Sequence, residues 1–149
     1  MTATSHALIG TIIAAKVGNP ALAIPLALAS HFAADMVPHW DVATNSKDKG
    51  TKRVLIDATL DVIVGFLLSY SLIVLVFPHT NLIYAFFLII IAQLPDWFFC
   101  PYYFFNLQWK ISRWAYNFGK RTNMELDKPW GIISQIAVIS LLVYLAKNF

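Results

Sequence analysis

Residues 54–109 contain no Lys or Arg, yet three carboxylates, Asp57, Asp61 and Asp96, fall inside that otherwise apolar stretch. Runs at 54–77, 82–95 and 130–146 approach or reach the ~20 apolar residues that cross a bilayer. With 58% hydrophobic residues, the chain lies far from the soluble average. No strand-type alternation or long-period repeat interrupts the pattern. The sequence therefore predicts a single all-α domain, a polytopic membrane helical bundle.

A carboxylate at membrane depth costs roughly 2.5–3.5 kcal/mol on insertion scales, so it is rarely kept without a partner or a job. Asp35 and Asp41 add to the three above, and His6, His31 and His39 lie in comparable places. Carboxylates and imidazoles without cationic side chains most simply imply a bound metal ion.

Charge sets the expected orientation. Lys47, Lys49, Lys52 and Arg53 form one basic cluster, and Lys110, Arg113, Lys120, Arg121 and Lys128 form another. Both flank apolar segments, where cytoplasmic loops carry Lys and Arg, so the net +3 charge is not read as a nucleic-acid patch. The turn at 78–81 has no Lys or Arg and is expected on the far side, with His79 a turn residue. The first basic residue, Lys16, follows the first apolar stretch, the wrong order for a cleaved signal peptide. Cys100 is the only cysteine, which excludes an intrachain disulfide.

Residues 5–16 predict a short helix, capped by Thr4 or Ser5, that reaches ~18 Å at ~1.5 Å per residue. Gly18 ends it, Asn19 caps the next helix, and Pro20 suits that helix's first turn. The second helix spans 21–36, since Pro38 disfavours helical geometry at Val37. Residues 1–41 thus form a short, partly inserted hairpin carrying the expected ligands. A solvated cytoplasmic loop at 42–51 follows. Helices at 52–76 and 82–94 make a membrane hairpin over 52–96, the second stopping before Pro95. Residues 97–128 form an interfacial aromatic and basic segment, with eleven of the chain's twenty-two aromatic residues in 97–118. Pro129 opens the last helix, within 129–149.

Helix direction then makes a geometric prediction. If the 42–51 loop is cytoplasmic, His6, His31, Asp35, His39, Asp41, Asp57, Asp61 and Asp96 all fall in the same third of the membrane. His31 and Asp35 stand four residues apart on one helix face, and Asp57 and Asp61 repeat that spacing. Facing helices with such pairs can enclose metal as di-metal carboxylate bundles do. Imidazole with carboxylate suits zinc, with manganese or iron next, and one or two ions. The expected ligands are His6, His31, Asp35, His39, Asp61 and Asp96. Asp41, which could instead cap its loop, and Asp57, near a helix start, are the expected general bases.

Three blocks carry a resemblance: SHALIG at 5–10, SHFAADMVPHWD at 30–41 and LPD at 94–96. They resemble small bacterial inner-membrane proteins described as metal-dependent hydrolases, a family linked by name to a LexA-binding membrane protein. The HFAAD…PH part also looks like the His-x3-Asp…Pro…His element of zinc-dependent phospholipase C and related single-strand nucleases, although the spacing after Asp35 is shorter. The resemblance covers the first two-thirds of the chain. It implies a hydrolase of the inner membrane with metal-activated water against phosphoesters.

The leading expectation is a membrane-embedded hydrolase whose ion lowers the pKa of bound water towards ~7. A lipid phosphoester at the cytoplasmic headgroup level is the natural substrate, with Lys110 and Arg113 offering cations to phosphate. Two other classes remain open: an ion transporter or its subunit, and a structural or partner-binding protein stapled by its metal. A transport path needs polar groups through the whole membrane thickness, whereas these cluster on one side.

Overall fold

The computed structural model describes residues 1–149, the side chain of Lys47 excepted, and is all-helical as the sequence predicts. The elements are α1 (Ala3–Lys16), α2 (Pro20–Asp35), a single turn α3 (Ser46–Lys49), α4 (Thr51–Val76), α5 (Leu82–Phe105), α6 (Lys110–Thr122) and α7 (Trp130–Asn148). Helices α4, α5 and α7 are long and apolar enough to cross a membrane. Their outer faces are uncovered and greasy; Leu67, Leu75, Ile83, Phe87 and Ile136 are each more than half exposed. Such a continuous apolar surface is too large for a water-exposed monomer.

The shortest of the bundle's five principal helices sits at its centre. α1 packs against α5 and α4, and more lightly against α2 and α7, while α4 and α5 touch each other little. Nine α1 residues, from Ser5 to Ala14, are buried. Close approach depends on absent side chains: a Cβ at Gly10 would lie 2.8 Å from the Leu88 carbonyl oxygen and 3.1 Å from Ala92 Cβ. Small residues permit this backbone-to-backbone packing where lipid supplies no hydrophobic drive between helices. Gly10→Val is therefore expected to destabilise the bundle by about 1–3 kcal/mol, the usual cost of overpacking. Unfolding in mixed detergent micelles measures it, and an unchanged midpoint would contradict this packing.

The hairpin caps follow the sequence reading at one end and shift at the other. Asn19 caps α2 by accepting from the Ala21 amide at 2.9 Å, with Pro20 in the first turn. At α1 the cap is Thr2, whose side chain accepts from the Ser5 amide, rather than Thr4 or Ser5. Thr4 has another partner: it donates to Asp61 on α4.

Three expectations are corrected. α5 does not stop at Leu94 but runs through Pro95 and Pro101 to Phe105. A proline inside a membrane helix is tolerated where neighbours re-satisfy the backbone. Pro95 cannot serve the Ile91 carbonyl, and the next carbonyl, that of Ala92, accepts from His31 on α2. The aromatic segment also divides. Its first half ends α5, and after a turn α6 returns along it, with Tyr116 packed on Tyr102 and Tyr103. The 42–51 loop likewise carries the α3 turn.

Candidate metal centre

One end of the bundle gathers polar residues from α1, α2, the turn after α2, and α5. Their burial is extreme for such groups: His6 is 1% exposed, His31 2%, Asp35 5% and His39 0%. Asp35 is the hub. Its Oδ1 lies 3.2 Å from His6 Nε2 and 4.0 Å from His39 Nε2, and its Oδ2 lies 3.4 Å from His31 Nε2. His31 Nε2 is also 3.4 Å from Asp96 Oδ1, so Asp96 reaches the cluster from α5 despite its distance in sequence. The rings of His6 and His31 stack at 3.9 Å. The N-terminal ammonium of Met1 also pairs with Asp35.

The backbone fixes which imidazole nitrogens are available. His31 Nδ1 sits 2.8 Å from the Ala92 carbonyl oxygen, and His39 Nδ1 sits 2.7 Å from that of Val37. A carbonyl only accepts, so each Nδ1 carries a proton and donates it. In the neutral ring Nε2 is then a lone pair, the form a metal-bound histidine takes when its other nitrogen is held by a carbonyl. These lone pairs face carboxylate oxygens, acceptor against acceptor. Protonating Nε2 would relieve the conflict through an imidazolium–carboxylate hydrogen bond. Yet His39 Nε2 and both ring nitrogens of His6 are buried without a hydrogen-bond partner among the described residues. A cation can take one nitrogen from each ring, so it would serve His6 at Nδ1 or at Nε2 but not at both.

Ligand atoms of His6, His31 and Asp96 all lie within 4.8 Å of one another, so this group could hold a metal ion.

The other expected residues take separate places. Asp41 follows His39: its Oδ1 accepts from the amides of Ala43 at 2.7 Å and Thr44 at 2.9 Å, while its Oδ2 lies 3.7 Å from His39 Nε2. Asp61 accepts from the Ala3 amide at 2.6 Å and from Thr4 Oγ1 at 2.6 Å, so it caps the start of α1 and stands apart from the imidazoles. Asp57 does have a cation nearby. Arg53, one turn earlier on α4, approaches it at 2.9 Å, just outside the cation-free stretch. Lys110 and Arg113 are exposed on α6, and neither lines the cavity beside the cluster. His79 is exposed in the distal turn.

That cavity measures about 570 Å³ and opens onto Asp35, Asp41, Asp61 and Asp96. Val54, Ala58 and Val62 of α4 and Trp97, Cys100 and Phe104 of α5 form an apolar wall, and Lys120 of α6 supplies a cation.

Three residues at the site escape sequence reading. Gln135 of α7 accepts from the Thr2 amide and Ser5 Oγ and donates to the Trp40 carbonyl at 2.7 Å, tying α1 to the His39 turn. Asn123 and Glu125 arrive on an extended strap after α6. Met124 N–H donates to the Asp35 carbonyl and Leu126 N–H to that of His39, while the His39 amide donates to Met124. Trp40 is flanked by Lys128 at 4.0 Å and Lys49 at 5.3 Å, which pins the strap's end. Burial, then the nearby Asp41 charge, pushes the Glu125 carboxyl above its ordinary value. A lone Glu in a chain with seven Asp was the available signal.

In comparisons with protein-family models, curated proteins and solved structures, nothing matches this chain.

Proposed function

We propose that this chain is an integral protein of the bacterial inner membrane, a metal-dependent hydrolase acting on a lipid phosphoester at the cytoplasmic headgroup level. The observation that carries the reading is the buried meeting of His6 and His31 with Asp35 and Asp96 at 3.2 to 3.4 Å beside an amphiphilic cavity. His31, Asp35, Asp96 and His6 would hold the ion. A divalent ion there supplies a Lewis acid for a phosphoryl oxygen and lowers the pKa of water at neutral pH.

The chain's own groups supply the rest. Lys120 offers the phosphate a compact charge at the cavity wall. The α4 and α5 wall gives an acyl chain an apolar surface. Of the two bases expected from the sequence, Asp41 lines the cavity, whereas Asp57 is held by Arg53 and does not.

Detergent-purified protein should contain zinc by elemental analysis and hydrolyse phospholipid in mixed micelles. Chelation should abolish turnover, and added zinc should restore it. Turnover that survives complete metal removal would overturn the proposal. Tightly bound zinc without turnover of any phosphoester, together with unfolding on chelation, would leave the metal as a staple for the short helices.

A further inference from the structure

We infer that Asp41 and Glu125, with His39 and the near oxygen of Asp35, form a second divalent-cation site, so that Asp35 bridges two ions. This rests on the reading of the first site as a metal centre, but not on hydrolysis. His39 carries the argument. It is fully buried, its Nδ1 proton is committed to the Val37 carbonyl, and its Nε2 has no hydrogen-bond partner. That lone pair faces Asp41 Oδ2 at 3.7 Å and Asp35 Oδ1 at 4.0 Å.

The surroundings are built to present these oxygens. Asp41 Oδ1 is fixed by two amides of its own turn, which leaves Oδ2 aimed at His39. The Asn123 amide group is 3.5 Å from Asp41 Oδ2 and 3.4 Å from Glu125 Oε1, so the two carboxylates share one side-chain donor. Glu125 itself is set beside His39 by the backbone pairing of the strap. Asp35 Oδ2 lies 3.4 Å from His31 Nε2, while its Oδ1 is shared: it pairs with the Met1 ammonium and lies 3.2 Å from His6 Nε2 and 4.0 Å from His39 Nε2, so an ion at His39 would displace the ammonium.

The donor sets also differ in kind. The first has two imidazoles and two carboxylates, which suits zinc. The second has one imidazole and three carboxylates at wider spacing, which suits a harder ion such as manganese. On this assignment Asp41 is a ligand and not a base.

Manganese, which is visible by electron paramagnetic resonance, tests this directly. Chelated full-length protein in detergent is loaded with one equivalent of zinc and titrated with Mn²⁺. One further equivalent should bind per chain. Glu125→Gln should weaken that equivalent at least tenfold, and Asp41→Asn, which keeps the turn's acceptor oxygen, should do likewise, while both retain the zinc. Loading both sites with Mn²⁺ should give a spin-coupled spectrum, because the ions share Asp35. Zinc-loaded wild type that binds no Mn²⁺, or binds it as well in the Glu125→Gln/Asp41→Asn double variant, overturns the second site and leaves the first standing. Failure of wild type to hold even the zinc overturns both.

Discussion

Asp35→Asn is expected to strip the protein of zinc and of phosphoester turnover while leaving the bundle folded. Three imidazoles converge on this one carboxylate, at 3.2, 3.4 and 4.0 Å, in a pocket where it is 5% exposed. The amide keeps the shape of the acid but replaces an acceptor by a donor. Its NH₂ can hydrogen-bond an Nε2 lone pair and so satisfies without metal a group that otherwise needs one. Affinity should therefore fall by more than about 100-fold, since even outer-shell changes cost about 10–100-fold. The metal-free variant should stay folded but melt below metal-free wild type, because the buried Met1 ammonium loses its carboxylate partner. Elemental analysis and unfolding in the same detergent read both effects. Full zinc occupancy in Asp35→Asn would remove the basis for the site.

The elements that position this site were legible in the sequence to different degrees, for physical reasons. Membrane-length apolar runs, the Asn19–Pro20 helix start and the stop before Pro38 are local signals, and each appears close to its expected place. Convergence of His31 with Asp96 needed only helix direction and length, because a bilayer restricts where a short helix can turn. Pro95 misled because helix rules written for water end a helix at an internal proline, whereas a helix packed among others carries one. His31 of α2 bonds the Ala92 carbonyl, next to the Ile91 carbonyl that Pro95 leaves free, so the proline turn and the second hydrogen bond of this imidazole lie together.

Glu125 and Gln135 were not legible, and the cause lies in the kind of contact they make. Gln135 sits on a helix whose periodicity says only that it is apolar, yet it satisfies Thr2, Ser5 and Trp40 from three separate segments. Glu125 lies in a polar connection with no period at all. Its position is set by backbone hydrogen bonds between residues 35–39 and 124–126, and pairing across such a sequence separation leaves no mark in composition.

Asp61 is the residue on which spacing and structure part most clearly, and substitution separates the two roles. The i, i+4 repeat with Asp57 made it an expected ligand, whereas its carboxylate meets the first turn of α1. It accepts from the Ala3 amide at 2.6 Å, the Thr4 amide at 3.3 Å and Thr4 Oγ1 at 2.6 Å. A helix N-terminus has unpaired amides and a positive dipole end, so a carboxylate there stabilises both. Asp61→Ala leaves these donors in a part-buried setting and should cost about 1–3 kcal/mol of bundle stability. Because His6 lies one turn further along α1, zinc affinity should weaken as the helix start loosens, without loss of the single zinc equivalent at saturation. Asp61→Asn keeps an acceptor oxygen and should recover most of the stability with zinc still bound. The opposite pattern, a stable Asp61→Asn that holds no zinc, would make Asp61 a ligand and require α4 to shift towards His31 when the ion binds.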